Sequence, residues 1–246
     1  MPPLMNMPAD DRVARLTHGF FDDFQGFLTA QSGANYTVVT AVDGTVLITD
    51  AAGGVVTIAN GTATIGDNED CYLAREPEAF LLATGKNLRF MASVKFTQVS
   101  TNTVNMIAGL TDGVAANLLQ SDGAGPKASG QTICFYTKDG STSLFIYVYN
   151  NSAVLNVELT AANSLNKTAH LGASSSFREL RFEVIVKSST KADIIFYDDL
   201  VPVYKFTDFL YTAATPTEMQ AVVGVKGGTA AAASVDVDYL GCRQIR

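Results

Sequence analysis

The chain has no tryptophan, only two histidines, only three cysteines and no cluster of lysines and arginines. Each shortage argues against a class of function. A nucleophilic triad needs a histidine beside a serine or cysteine, and the two candidates are poorly placed for it. His18 falls in an N-terminal extension and His170 in a polar loop beside Gly172, so both read as solvated or hydrogen-bonded loop histidines. Cys71, Cys134 and Cys242 are odd in number and far apart, which fits neither a disulfide framework nor a zinc site with C-x-x-C spacing. They read as reduced, buried apolar fillers.

The formal charge of −7 across 246 residues speaks against a nucleic-acid partner, because phosphate binding depends on clustered basic side chains that displace counterions. No run approaches the roughly 18 consecutive apolar residues of a membrane-spanning helix. The opening Met1-Pro2-Pro3-Leu4-Met5-Asn6-Met7-Pro8 lacks the basic start and apolar centre of a secretory signal. Production in a cytoplasm is therefore expected, with no membrane partner.

What the sequence does contain is short alternation. Leu88, Phe90, Ala92, Val94 and Phe96 alternate with Arg89, Met91, Ser93, Lys95 and Thr97, the period of a strand buried on one face. Leu180, Phe182, Val184 and Val186 oppose Arg181, Glu183 and Lys187, while Val235, Val237 and Tyr239 oppose Asp236 and Asp238. Asp43-Gly44, Gly53-Gly54, Asn60-Gly61, Asp112-Gly113 and Asp139-Gly140 supply hairpin-turn chemistry between such runs. Helical periodicity is almost absent after Phe27. The expected fold class is all-β, with two antiparallel sheets packed face to face.

The length allows one large sandwich or, at a stretch, two small domains. One sandwich over 28–246, preceded by an extension over 1–27, fits the pattern best. In the extension Val13, Leu16, Phe20, Phe24 and Phe27 recur at steps of three and four, which predicts a short helix from about Ala9 to Thr17. Pro8 suits its start, Asp10 and Asp11 suit its dipole, and Gly19 suits its end. Phe20-Phe21-Asp22-Asp23-Phe24 equally suits the opening of a first strand. Leu4, Met5, Met7, Val13 and Leu16 are many apolar side chains for a segment outside the core. They predict a docking arm toward a sister copy or another protein.

Carboxylate pairs on one strand face are the equipment of glycosidases. Asp236 with Asp238, and Glu179 with Glu183, are the pairs here, and each also fits the solvent face of an alternating strand. Asp67-Asn68-Glu69-Asp70 and Asp198-Asp199 offer hard oxygens without a calcium-loop spacing. Gly123-Ala124-Gly125-Pro126-Lys127 lacks the Gly-Lys-Ser/Thr ending of a phosphate loop. No catalytic residue, metal site or cofactor is expected. Phe145, Tyr147 and Tyr149 oppose Leu144, Ile146 and Val148, so this strand is apolar on both faces. It is either an interior strand covered by the extension or a surface that meets a neighbouring subunit.

Three later segments resemble the laminin-G or concanavalin-like jelly roll. They are Phe177-Arg178-Glu179-Leu180-Arg181-Phe182-Glu183-Val184, then Ala192-Asp193-Ile194-Ile195-Phe196-Tyr197-Asp198-Asp199, then Val235-Asp236-Val237-Asp238-Tyr239. Four further pieces resemble a group of phage and prophage structural proteins: Asn68-Glu69-Asp70-Cys71-Tyr72-Leu73, Val94-Lys95-Phe96-Thr97, Ala108-Gly109-Leu110-Thr111-Asp112, and the stretch from Glu218 to Lys226. The likeness runs from about Asn68 to Tyr239. It departs at Asp198-Asp199-Leu200, where an Asp-Gly turn is usual, and in lacking tryptophan, a frequent platform for sugar rings.

The resemblance implies a non-enzymatic virion protein on the capsid surface, made in the host cytoplasm. As a decoration or cement protein it would bind the major capsid protein and sister copies, as a dimer or trimer, and sum weak contacts across the shell. A tail or fibre carbohydrate-binding module recognising a host glycan is the alternative.

Overall fold

A computed structural model describes residues 17–24, 35–40, 43–50, 53–61, 68–76, 79–98, 103–121, 124–128, 130–150, 153–211, 217–228 and 231–245. Its strands are β1 (Thr17–Asp22), β2 (Tyr36–Thr40), β3 (Thr45–Asp50), β4 (Val55–Ala59), β5 (Asp70–Arg75), β6 (Leu88–Gln98), β7 (Val104–Thr111), β8 (Gln131–Tyr136), β9 (Phe145–Asn150), β10 (Ala153–Glu158), β11 (Arg178–Val186), β12 (Lys191–Asp198), β13 (Val201–Leu210), β14 (Gln220–Gly227) and β15 (Ala233–Ile245). They form two antiparallel sheets. Sheet A runs β13-β12-β11-β6-β15-β4-β3 with β1 added beside β15, and sheet B runs β10-β9-β8-β7-β14-β5-β2. The all-β sandwich expected from the alternation is what forms.

The core lies between the sheets and is built by the residues that alternate inward. Phe90 stacks on Phe182 at 5.0 Å, Phe182 meets Phe196 at 5.6 Å, and Phe196 takes the edge of Phe135 from the opposite sheet at 5.2 Å. All four are buried, as are Val94, Val184 and Ile194. The three cysteines are free and buried. Burial pushes the Cys71 thiol up to about 11 and raises Cys134 and Cys242 as well.

Three features of the sheets, two of them departures from the sequence expectations, have physical reasons. First, Thr17–Asp22 is a strand paired with β15, Phe20 opposite Cys242 and Phe21 opposite Gly241. This part of the extension over 1–27 therefore belongs to sheet A, and the strand alternative for the Phe20 run is the one realised. Phe24, fully buried at φ 57°, ends the segment in an Asx turn, its N–H donating to Asp22 Oδ1 at 2.8 Å. The rest of the expected helix, and Leu4, Met5, Met7, Val13 and Leu16, lie outside the described residues.

Second, the turn between β12 and β13 holds Asp199 at φ 48° and Leu200 at φ 67°. Two left-handed residues match the right-handed twist of the hairpin. Asp199 adapts because its Oδ1 accepts the Glu179 N–H at 2.9 Å, whereas the exposed Leu200 has no such relief.

Third, β15 shifts register against β6 between Val237 and Tyr239. The extra residue of a bulge reverses the alternation. Val237 and Leu240 point into the core, while Tyr239 leaves the core face assigned to it from its spacing and joins the outer face of sheet A.

Candidate functional site

The bulge builds a site. On the outer face of sheet A the registers set side chains in rows. Glu183 of β11, Arg89 of β6 and Arg243 of β15 form one row, and Arg181, Met91, Gly241 and Phe21 form the next. Glu179, Ser93 and Tyr239 form a third. Gly241 leaves a dip between Met91 and Phe21, where an added Cβ would lie 3.2 Å from the Phe21 ring and 3.3 Å from Met91. The dip widens into a groove of about 520 Å³ bordered by Phe21, Arg89, Met91, Arg243 and Ile245, within the roughly 300–1,000 Å³ of small-ligand sites.

Apart from Arg243, the charged side chains of its wall and of the neighbouring rows are held in place by one another. Arg89 Nη2 lies 2.6 Å from Glu183 Oε1. The Arg181 guanidinium sits 3.9 Å from both Glu179 Oε1 and Glu183 Oε1 and packs over the Tyr197 ring at 4.2 Å. Tyr239 donates its hydroxyl to Glu179 Oε2 and packs its ring 5.2 Å from Phe21. Burial and the Glu179 carboxylate raise the Tyr239 phenol, so it stays protonated and donating. Phe21 itself remains 62% exposed.

The other carboxylate pair does not gather into a site. Asp236 is tied to Lys95 Nζ at 2.7 Å and accepts the Thr57 hydroxyl at 2.6 Å.

The outer face of sheet B is closed instead of open. Phe145 and Tyr147 are each 4% exposed and Tyr149 is half-buried. They pack in a second apolar cluster with Tyr72, Ile107, Cys134, Tyr136 and Val222, covered by Leu118 and Leu119 of the segment 112–121. That segment is anchored from below. The Leu119 N–H donates to the Tyr72 hydroxyl at 3.1 Å and the Asn117 N–H to Asp70 Oδ2 at 2.7 Å. The buried Lys226 donates to Asn117 Oδ1 at 2.5 Å.

His170 has partners that the sequence did not reveal. Its Nδ1 lies 2.7 Å from Asp198 Oδ2 and its Nε2 3.3 Å from Ser164 Oγ, the order of a catalytic triad. The serine, however, is 1% exposed and donates its hydroxyl to Asn166 Oδ1 at 2.7 Å. Asp198 also faces Arg178, whose Nη1 is 3.6 Å away. The cluster clamps the 159–172 loop onto β11 and β12. His18 is likewise occupied, its Nε2 lying 2.8 Å from the Ala79 carbonyl and its ring stacked on Phe80 at 5.3 Å.

No family model matches the chain, and no curated protein does. Solved structures do match. The potassium-bound carbohydrate recognition domain of Emp46p is 11% identical with a TM-score of 0.57, covering 89% of this chain and 94% of that one. An endo-1,3-β-glucanase from Streptomyces sioyaensis is 13% identical with a TM-score of 0.55, covering 97% and 98%. An endo-β-1,4-glucuronan lyase from Trichoderma reesei is 11% identical with a TM-score of 0.53, covering 91% and 94%.

Two of these neighbours cleave polysaccharides, which overturns the expectation that this chain is not an enzyme. The fold serves recognition and catalysis alike, and a jelly roll without an obvious histidine base is no argument against the latter. The phage and capsid part of the sequence resemblance draws no support from these likenesses. Together with the sheet order, they establish that the chain has a concanavalin-like, legume-lectin-type jelly-roll fold.

Proposed function

We propose that the chain binds saccharides, and that the groove on the outer face of sheet A is where it does so. The observation that carries this reading is the exposed Phe21 ring, backed by Tyr239 and set beside the Gly241 dip and the Arg89–Glu183 pair. A sugar ring presents an apolar C–H face and a rim of hydroxyls. An aromatic side chain meets the first, while arginine and carboxylate groups already fixed by each other meet the second with little further ordering. Phe21 supplies the platform that the absence of tryptophan seemed to remove. The likeness to the Emp46p carbohydrate recognition domain adds support at the level of fold.

Titrating a panel of neutral and acidic oligosaccharides, with calorimetry and product analysis run together, tests this. Binding is expected, with Phe21→Ala weakening it about tenfold, or about 1.4 kcal/mol. Binding that survives Phe21→Ala undiminished moves the site elsewhere, and a panel with no binder at all ends the reading.

A second reading keeps the virion. Phe21, Ile185 and Ile245 are large apolar side chains exposed together at the groove, which also suits attachment to a major capsid protein by a dimer or trimer. Co-sedimentation with capsids, lost on Phe21→Asp, would favour it.

A further inference from the structure

We infer that the groove selects an anionic saccharide, one carrying a carboxylate or sulfate, and that Arg243 is the residue that selects it. The inference rests on the saccharide reading above and adds the charge of the ligand.

The charged side chains lining the groove are Arg89, Arg243 and Glu183. Arg89 and Glu183 neutralise each other at 2.6 Å. Arg243 stands in register beside Arg89 across β15 and β6, is exposed, and has no carboxylate within salt-bridge distance among the described residues. Among the described residues, one uncompensated guanidinium is thus left in the groove of a chain whose formal charge is −7. Glu179, on the same outer face, is already engaged by the Tyr239 hydroxyl and by Arg181.

Chemistry then favours an oxyanion. A planar guanidinium presents a fork of N–H donors that matches the two oxygens of a carboxylate or sulfate. The apolar walls supplied by Phe21, Met91 and Ile245 reduce solvent screening around that fork. Arg243 is also placed to act together with Phe21, because Gly19, with no side chain of its own, is the β1 residue opposite Arg243, and Phe21 follows two positions along the same strand. A ring lying on Phe21 can hold its acidic substituent toward Arg243.

The test titrates the full chain by calorimetry with three oligosaccharides of equal length: an oligoglucuronate, the same chain after reduction of its carboxyls to alcohols, and a sulfated counterpart. Either acidic arm is expected to bind at least tenfold tighter than the neutral one, to weaken with added salt, and to show which oxyanion fits. R243Q is expected to erase the difference, so that acidic and neutral chains bind alike, while R243K retains part of it because the charge stays and the fork goes. A thermal melt of each variant confirms folding. Equal affinity for acidic and neutral chains in the native protein, or an acidic preference that survives R243Q, overturns the inference and leaves saccharide binding standing. Failure of all three ligands to bind overturns this inference and removes the support these sugars would give the reading beneath it.

Discussion

The two outer faces of the sandwich differ in how they are completed. On sheet A, β11 from Glu179 to Val184 alternates inward apolar residues with outward polar ones, and the outward set pairs off laterally into ion pairs beside an open groove. On sheet B, β7, β8 and β14 are buried along their whole length, because the 112–121 segment carries Leu118 and Leu119 down onto the aromatic cluster. An antiparallel sheet with one wet face alternates, and a sheet covered on both sides does not. The same architecture thus leaves one face open and uses the other for stability.

That contrast can be broken from the covered side first. Leu119 is fully buried, so Leu119→Ala should cost about 2–5 kcal/mol in a chemical denaturation experiment. A loss below about 0.5 kcal/mol would mean that the segment does not close the face in solution. Tyr72→Phe strips the acceptor from the buried Leu119 N–H while keeping the ring, and a loss of about 1–3 kcal/mol is expected. On the open face the effects shrink. Asp236→Asn loosens a partly exposed pair with Lys95, and the unfolding free energy from a denaturation curve should fall by no more than about 1 kcal/mol. The smallest change should be a gain: Leu200→Gly relieves a left-handed leucine at φ 67°, offset by the greater freedom of glycine in the unfolded chain, for a net stabilisation of up to about 1 kcal/mol. An unchanged or lowered melting temperature would show that the strain relieved does not exceed the entropic cost of the glycine.

Legibility in the sequence followed the same division. The strands facing water on one side were readable, since β6 and β11 repeat every two residues and their inward sets form the core. The double-sided apolarity of Phe145 to Tyr149 was readable too, but not its cause. The cover comes from the chain's own 112–121 segment, an irregular stretch with no period to betray it. Tyr239 was placed inward because alternation was carried through Asp238, where the bulge adds a residue. Ser164 and Asp198 could not be linked to His170 by spacing, since the 28 residues from His170 to Asp198 are bridged only when the 159–172 loop folds back on the sheet.

By itself, the sequence determined the class of the fold: alternation sets which side chains must leave water, and turn residues set where the chain reverses, both being local properties. Tertiary structure decided which face was open and what stood on it. Phe21, Arg89, Glu183 and Arg243 come from four strands spread along the chain, and they became a groove only through the register of β1 and β6 with β15, of β11 with β6, and a single bulge. Register is a long-range property, fixed by the joint packing of both sheets, and no stretch of the chain encodes it alone.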